Sequence, residues 1–212
     1  MDGTLVDTER YWMAAEEELV EEFEGTWTHD DALALVGSGL WESAAVFQAK
    51  GVALEADAIV ARLTARVREQ LTEHGVPWRP GARELLQSLR EASVPTALVT
   101  MSIRSMADDI ITAIPFSAFD IVITGDAVEH AKPHPQPYLL AAEQLGVDIA
   151  ECIAIEDSPA GLTSAHAAGA IAIGGPNILS RDDTPASALW PTLVGATGAD
   201  LATVVRTVGA AS

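Results

Sequence analysis

From Pro80 to Gly175 the chain repeats one pattern: a stretch with apolar residues at helical spacing, then a short run that is apolar throughout. GARELLQSLREAS leads into PTALVT, IRSMADDIITAI into FDIVITG, PQPYLLAAEQLG into ECIAIED, and SPAGLTSAHAAG into AIAIGG. A strand that is apolar on both faces must be covered on both faces. Each intervening helix supplies that cover, together with the crossover that returns the next strand parallel to the last. The pattern predicts an α/β fold built on a doubly wound parallel sheet. In such sheets ligands bind beyond the carboxyl ends of the strands, so the polar residues there are the candidates for chemistry.

Before this repeat the pattern is helical. In YWMAAEEELVEEFEG, Trp12, Leu19 and Phe23 recur at helical spacing, with Glu16, Glu17, Glu18, Glu21 and Glu22 between them, and Gly25 ends the run. HDDALALVGSGLWESAAVFQAKG predicts two short helices on either side of Gly37-Ser38-Gly39, and EADAIVARLTARVREQLTEHG a long amphipathic helix ending at Gly75. Trp12, Trp27, Trp41 and Trp78 are expected in the core of this bundle. A chain of 212 residues is long enough for a core carrying a smaller insert. The division expected is residues 1–8 and 79–212 as α/β core and 9–78 as helical insert. After Gly175, a loop with Asn177, Arg181 and Asp182, the apolar LVGAT and a helix from Asp200 are expected to form the sheet edge and a closing helix.

Three strand ends carry polar groups. ALVT runs into Thr100, Met101 and Ser102; the loop after IVITG holds Lys132; CIAIED ends on Glu156 and Asp157. Taken singly, Thr100 or Ser102 reads as a helix N-cap, Lys132 as a solvated loop lysine, and Glu156-Asp157 as acids ahead of the next helix. Taken together they describe a site for phosphoryl chemistry. A hydroxyl and backbone amides hold phosphate oxygens, a lysine neutralises charge, and paired carboxylates hold Mg²⁺. The five histidines lack the local pair spacing of a zinc site, and His130 and His134, which flank Lys132, read as solvated loop residues.

Charge narrows the partners. With 31 acidic against 12 basic residues the formal net charge is −19, which repels polyanions and argues against nucleic acid. No apolar run approaches the roughly 18 to 20 residues of a membrane span. The opening residues lack a secretory pattern and Cys152 stands alone, so a cytoplasmic location is expected. The expected partner is a small phosphorylated metabolite; nothing in the pattern sets an oligomeric state.

The chain opens MDGTLVDTE. DGT, TMS, KPHPQPY and EDSPAG, in this order at strand ends and with a helical insert after the first, closely resemble the haloacid dehalogenase (HAD) superfamily. The insert resembles its C1-type cap, as in the subgroup of beta-phosphoglucomutase and phosphoglycolate phosphatase. The resemblance implies a Rossmann-like core and a motif Asp-x-Asp-Gly-Thr, in which the first aspartate is the nucleophile and the second the general acid/base. Aligning DGT with DGT makes Asp2 the acid/base and places the nucleophile immediately before Met1. The first core strand is then expected to be truncated, the native chain to begin further upstream, and residues 1–212 alone to be inactive.

By the same resemblance, the Asp2 carbonyl and the Asp157 carboxylate coordinate Mg²⁺, with Glu156 assisting directly or through water. Thr100 and the amides of Met101 and Ser102 take the phosphate, and Lys132 binds phosphate and nucleophile. The implied activity is a Mg²⁺-dependent phosphatase working through an aspartyl-phosphate, with Gly37-Ser38-Gly39-Leu40-Trp41 facing the site. The basic residue expected around Leu40 in the beta-phosphoglucomutase pattern is absent, which favours a phosphatase over a sugar-phosphate mutase. Asp2 with Glu156-Asp157 argues against dehalogenation, and Lys50 is the one cap lysine for a Schiff base of the phosphonate-hydrolase kind. A catalytically inert module that binds metal or a phosphorylated ligand is the reading from another class.

Overall fold

The computed structural model describes residues 1–175 and 184–209; Asn177, Arg181 and Asp182 lie outside the described residues. Four helices come first: α1 (Glu9–Glu22), α2 (His29–Leu33), α3 (Leu40–Ala49) and α4 (Ala56–His74). They follow the apolar spacing. In α1, Tyr11, Ala15, Leu19 and Val20 are buried, and in α4, Ile59, Val60, Leu63, Val67 and Leu71. The acidic outer face of α1 meets the basic face of α4, where Arg66 pairs with Glu18 at 2.6 Å and Arg62 pairs with Glu22. Thr28 and Asp31 form a reciprocal capping box at the start of α2. Gly75, at φ 78°, ends α4 in a conformation that favours glycine.

The remaining elements alternate as the periodicity predicts: α5 (Ala82–Glu91), β1 (Ala97–Val99), α6 (Arg104–Thr112), β2 (Ile121–Ile123), α7 (Gln136–Leu145), β3 (Ile153–Glu156), α8 (Pro159–Ala168), β4 (Ile171–Gly174), β5 (Ala188–Leu189) and α9 (Gly198–Gly209). All the ladders are parallel. β1 pairs with β2 in the register Leu98 to Val122, and β3, β4 and β5 pair in that order, with Ala154 opposite Ala172 and Gly174 opposite Leu189. Met106 and Ile110 of α6, Leu162 of α8 and Ile173 of β4 are completely buried, as helices covering a two-faced sheet require.

Among the described residues no ladder joins β1 to β3. Between them lies an apolar cavity of about 530 Å³ lined by consecutive residues of both strands, Thr96 to Val99 and Cys152 to Glu156, with Met1 and Leu5. Consecutive residues of a strand point to opposite faces, so this cavity runs along the facing edges of the two strands and not over one face of a sheet.

Two expectations are corrected. The sheet edge is Ala188–Leu189, and LVGAT forms a turn ahead of α9. Two glycine and alanine positions in that stretch leave too little apolar surface to anchor a strand. Trp41 is exposed and donates to Asp57 Oδ1 at 2.7 Å, so it is not bundle core. Trp12, Trp27 and Trp78 are partly buried and pack against the core, and Trp12 also donates its indole N–H to Asp2. Trp27 does pack inward, its ring 4.7 Å from Phe47.

Candidate active site

Parallel strands bring their carboxyl ends to one edge, and the polar residues predicted there meet. A cavity of about 120 Å³ between this edge and the helical segment is lined by Asp2, Thr100, Met101, Ser102, Lys132, Glu156 and Asp157. All seven residues singled out from the sequence therefore share one site, although Asp2 and Asp157 are far apart in the chain.

The floor is a network of buried polar groups. Lys132 Nζ donates to Glu156 Oε1 at 2.5 Å and to the Val99 carbonyl at 3.1 Å; both side chains are less than a tenth exposed. The Tyr138 hydroxyl also donates to Glu156 Oε1, and the Lys132 ammonium stands 5.1 Å from the Tyr138 ring centre. Burial pushes the Glu156 carboxyl up, but the Lys132 charge and these hydrogen bonds outweigh it and hold the group below its ordinary range. Burial and the Glu156 carboxylate push the Tyr138 hydroxyl well up, which keeps it a donor.

Asp157 accepts from Thr4 Oγ1 at 2.8 Å. Burial, and after it the neighbouring Glu156 carboxylate, push its carboxyl up to about 6. The close approach of the DGT turn to this carboxylate depends on Gly3: its φ is +70°, and a Cβ there would lie 1.8 Å from Asp157 Oδ2. Asp2 is held from three directions. Thr8 Oγ1 and Trp12 Nε1 donate to Oδ1 at 2.5 and 3.2 Å, and Ser102 Oγ donates to Oδ2 at 2.7 Å. Thr100 is buried at the end of β1, and its Oγ1 accepts from the Ser102 amide at 3.1 Å.

Among the described residues no group of three or more His, Cys, Asp and Glu side chains forms a metal cage. The Asp2 carboxylate accepts from three donors. The donor set fits a hard divalent cation in one respect: two adjacent buried carboxylates, one of them raised by the other, are relieved by a positive ion bound with carbonyl and water oxygens.

The helical segment closes the cavity. Gly37, Ser38 and Leu40 line it, as expected of that loop, whereas Trp41 does not. A Cβ on Gly37 would lie 2.3 Å from Ser158 Oγ, so this loop packs directly on the start of α8. Lys50 pairs with Asp31 at 2.7 Å and is not among the lining residues. His130 and His134 are exposed, their rings 4.5 Å apart.

Four side chains at the site are not singled out as functional by the sequence: Thr4, Thr8, Tyr138 and Glu16. Thr4 and Tyr138 lie inside quoted motifs. Glu16 sits among other acids of α1, but its spacing from Trp12 and Leu19 places it on their face. It is 8% exposed, lines the cavity, and accepts from Trp27 Nε1 at 3.3 Å. Burial pushes it up to about 7 despite that hydrogen bond.

A parallel α/β core with acids, a lysine and hydroxyls at its strand ends, closed by helices, defines a class of enzymes that handle phosphoryl groups. The haloacid dehalogenase-like hydrolase family matches residues 1–174, and the chain belongs to that family. It is 32% identical to the protein CbbY of Rhodobacter capsulatus over 202 residues, covering 90% of this chain and 88% of the relative. It is 30% identical to the fructose-1-phosphate phosphatase YqaB of Escherichia coli over 175 residues, covering 82% and 92%. The crystal structure of beta-phosphoglucomutase from Clostridium difficile superposes with a TM-score of 0.85 across 99% of this chain and 96% of that one, at 20% identity, a likeness of fold.

Proposed function

We propose that this chain carries the site of a Mg²⁺-dependent phosphatase acting on small phosphomonoesters, with residues 9–78 as cap and residues 1–8 and 79–212 as core. The observation that carries the reading is the Asp2 carboxylate held by Thr8, Trp12 and Ser102 within the cavity that Lys132, Glu156 and Asp157 also line. Relatives named as phosphatases of sugar phosphates support it.

In this reading Thr100 and the amides of Met101 and Ser102 hold the phosphoryl oxygens. Lys132, fixed by Glu156 and Val99, offsets their charge. Asp2 gives a proton to the departing alcohol and later takes one from water. Its three donors orient the carboxyl for both roles. Asp157, with the Asp2 carbonyl and Glu156 directly or through water, would hold Mg²⁺. When bound, that ion supplies Lewis-acid stabilisation of the phosphoryl oxygens. By the resemblance the attacking carboxylate aligns ahead of Met1, and residues 1–212 by themselves are accordingly expected to bind phosphate without turning it over.

The test compares residues 1–212 with a form extended upstream by an apolar strand ending in aspartate, using para-nitrophenyl phosphate and Mg²⁺. Negligible turnover by the first and clear turnover by the second are expected. Equal turnover by both would overturn the role given to Asp2.

A further inference from the structure

We propose that the cap end of the cavity selects a leaving group that bears hydroxyls and no second anion, with Glu16 as the residue that makes the selection. The inference rests on the phosphatase reading and names the substrate class for that site. The cavity has two unlike ends. At the floor, Thr100, Ser102 and Lys132 suit a phosphoryl group. The side contributed by the helical segment includes Glu9, Trp12, Met13, Glu16, Phe47 and Leu63. Lys132 is the one lysine or arginine among the lining residues, and its charge is already engaged by Glu156.

The cations of the helical segment are turned to other partners. Lys50 pairs with Asp31, Arg62 with Glu22, Arg66 with Glu18, and Arg68 with Asp109. A second phosphate on the leaving group would carry most of two negative charges into this end. It would meet the Glu16 carboxyl, with Glu9 also lining the helical side and no lysine or arginine there to offset the charge. Hydroxyls meet the opposite situation: a carboxyl accepts from them in either protonation state, and the indole faces and Met13 suit the carbon skeleton.

Glu16 is built in place. Trp27 donates to its Oε2 at 3.3 Å and is itself packed against Phe47. One turn earlier on α1, Trp12 reaches down to Asp2, so a single helix positions both the selecting carboxyl and the proposed acid/base. A buried acid on the apolar face of a helix costs stability beyond what its single indole hydrogen bond offsets, and a partner for it in the cavity is the function that cost serves. Contact with the hydroxyls of the leaving group is that function. The volume of about 120 Å³ restricts the leaving group to a small one.

The test is calorimetric titration of residues 1–212 with Mg²⁺ present, using inorganic phosphate, a hexitol monophosphate and a hexose bisphosphate as probes. The monophosphate is expected to bind about tenfold or more tightly than the bisphosphate. Glu16→Gln, which is nearly isosteric, should shrink that ratio, and Glu16→Lys should reverse it. Equal affinity of the unaltered chain for the two esters, or a ratio that Glu16→Gln leaves unmoved, overturns the inference. If inorganic phosphate still binds in that case, the phosphatase reading stands without it. A chain that does not bind inorganic phosphate overturns the reading and the inference together.

Discussion

The floor and the roof of the cavity treat buried charge in opposite ways. At the floor the Glu156 carboxylate has an ammonium and a phenol, and Asp2 has three donors. At the roof Glu16 has one indole N–H as its hydrogen-bond partner among the described residues. The same residue type is therefore held below its ordinary pKa in one place and raised to about 7 in the other. Burial acts on both; what differs is compensation. A compensated carboxylate stays charged to lower pH, while an uncompensated one responds to whatever is placed beside it.

The largest expected effect breaks the compensation at the floor. Lys132→Met leaves Glu156 buried without its counter-ion and should remove about 3–5 kcal/mol of stability, read by urea denaturation near neutral pH. A loss below about 1 kcal/mol would mean that Glu156 is hydrated in solution. Next comes Glu16. Its pKa is about 7 when folded against 4.5 when unfolded, so the folded state holds a proton that the unfolded state releases. The stability this contributes is complete below about pH 4.5 and is lost as pH rises through 7. Glu16→Gln should therefore match the unaltered chain near pH 4 and exceed it by up to about 3 kcal/mol at pH 8. A difference that stays flat with pH would show that the roof carboxyl is solvated after all.

Removing one donor at the floor is milder. Tyr138→Phe keeps Lys132 and takes away the phenol hydrogen bond to Glu156, at an expected cost of about 1.5–3 kcal/mol. If the melting curve did not move, Lys132 alone would suffice for compensation. The smallest effect lies outside the cavity. Trp41 is exposed and bonded only to a surface acid in α4, so Trp41→Phe should cost about 0.5–1 kcal/mol and leave phosphate binding unaltered.

Much of this was legible along the chain. Apolar runs alternating with helical stretches require a covered parallel sheet, and the acids, lysine and hydroxyls at the strand ends converge as that topology demands. The edge strand was misplaced, because two residues at Ala188–Leu189 carry too little pattern to be seen. Tyr138 was hidden by its position in a helix, where an aromatic residue reads as core; its hydroxyl matters only because α7 sets it beside the end of β3. Glu16 is the instructive miss. Glu9 and Glu16 both fall on the face of Trp12, Leu19 and Phe23 and both line the cavity, a spacing present in the sequence but masked by the acids around them.

The sequence by itself determined the class of fold and the polar inventory of the site, because side-chain periodicity dictates which faces must be buried and strand ends dictate where polar groups collect. Which buried acid gains a partner was decided by tertiary structure alone. Lys132 and Glu156 are 24 residues apart, and Glu16 and Trp27 are 11 apart. The pKa of a carboxyl depends on the few ångströms around it, and only packing brings an ammonium to one of these acids and an indole to the other.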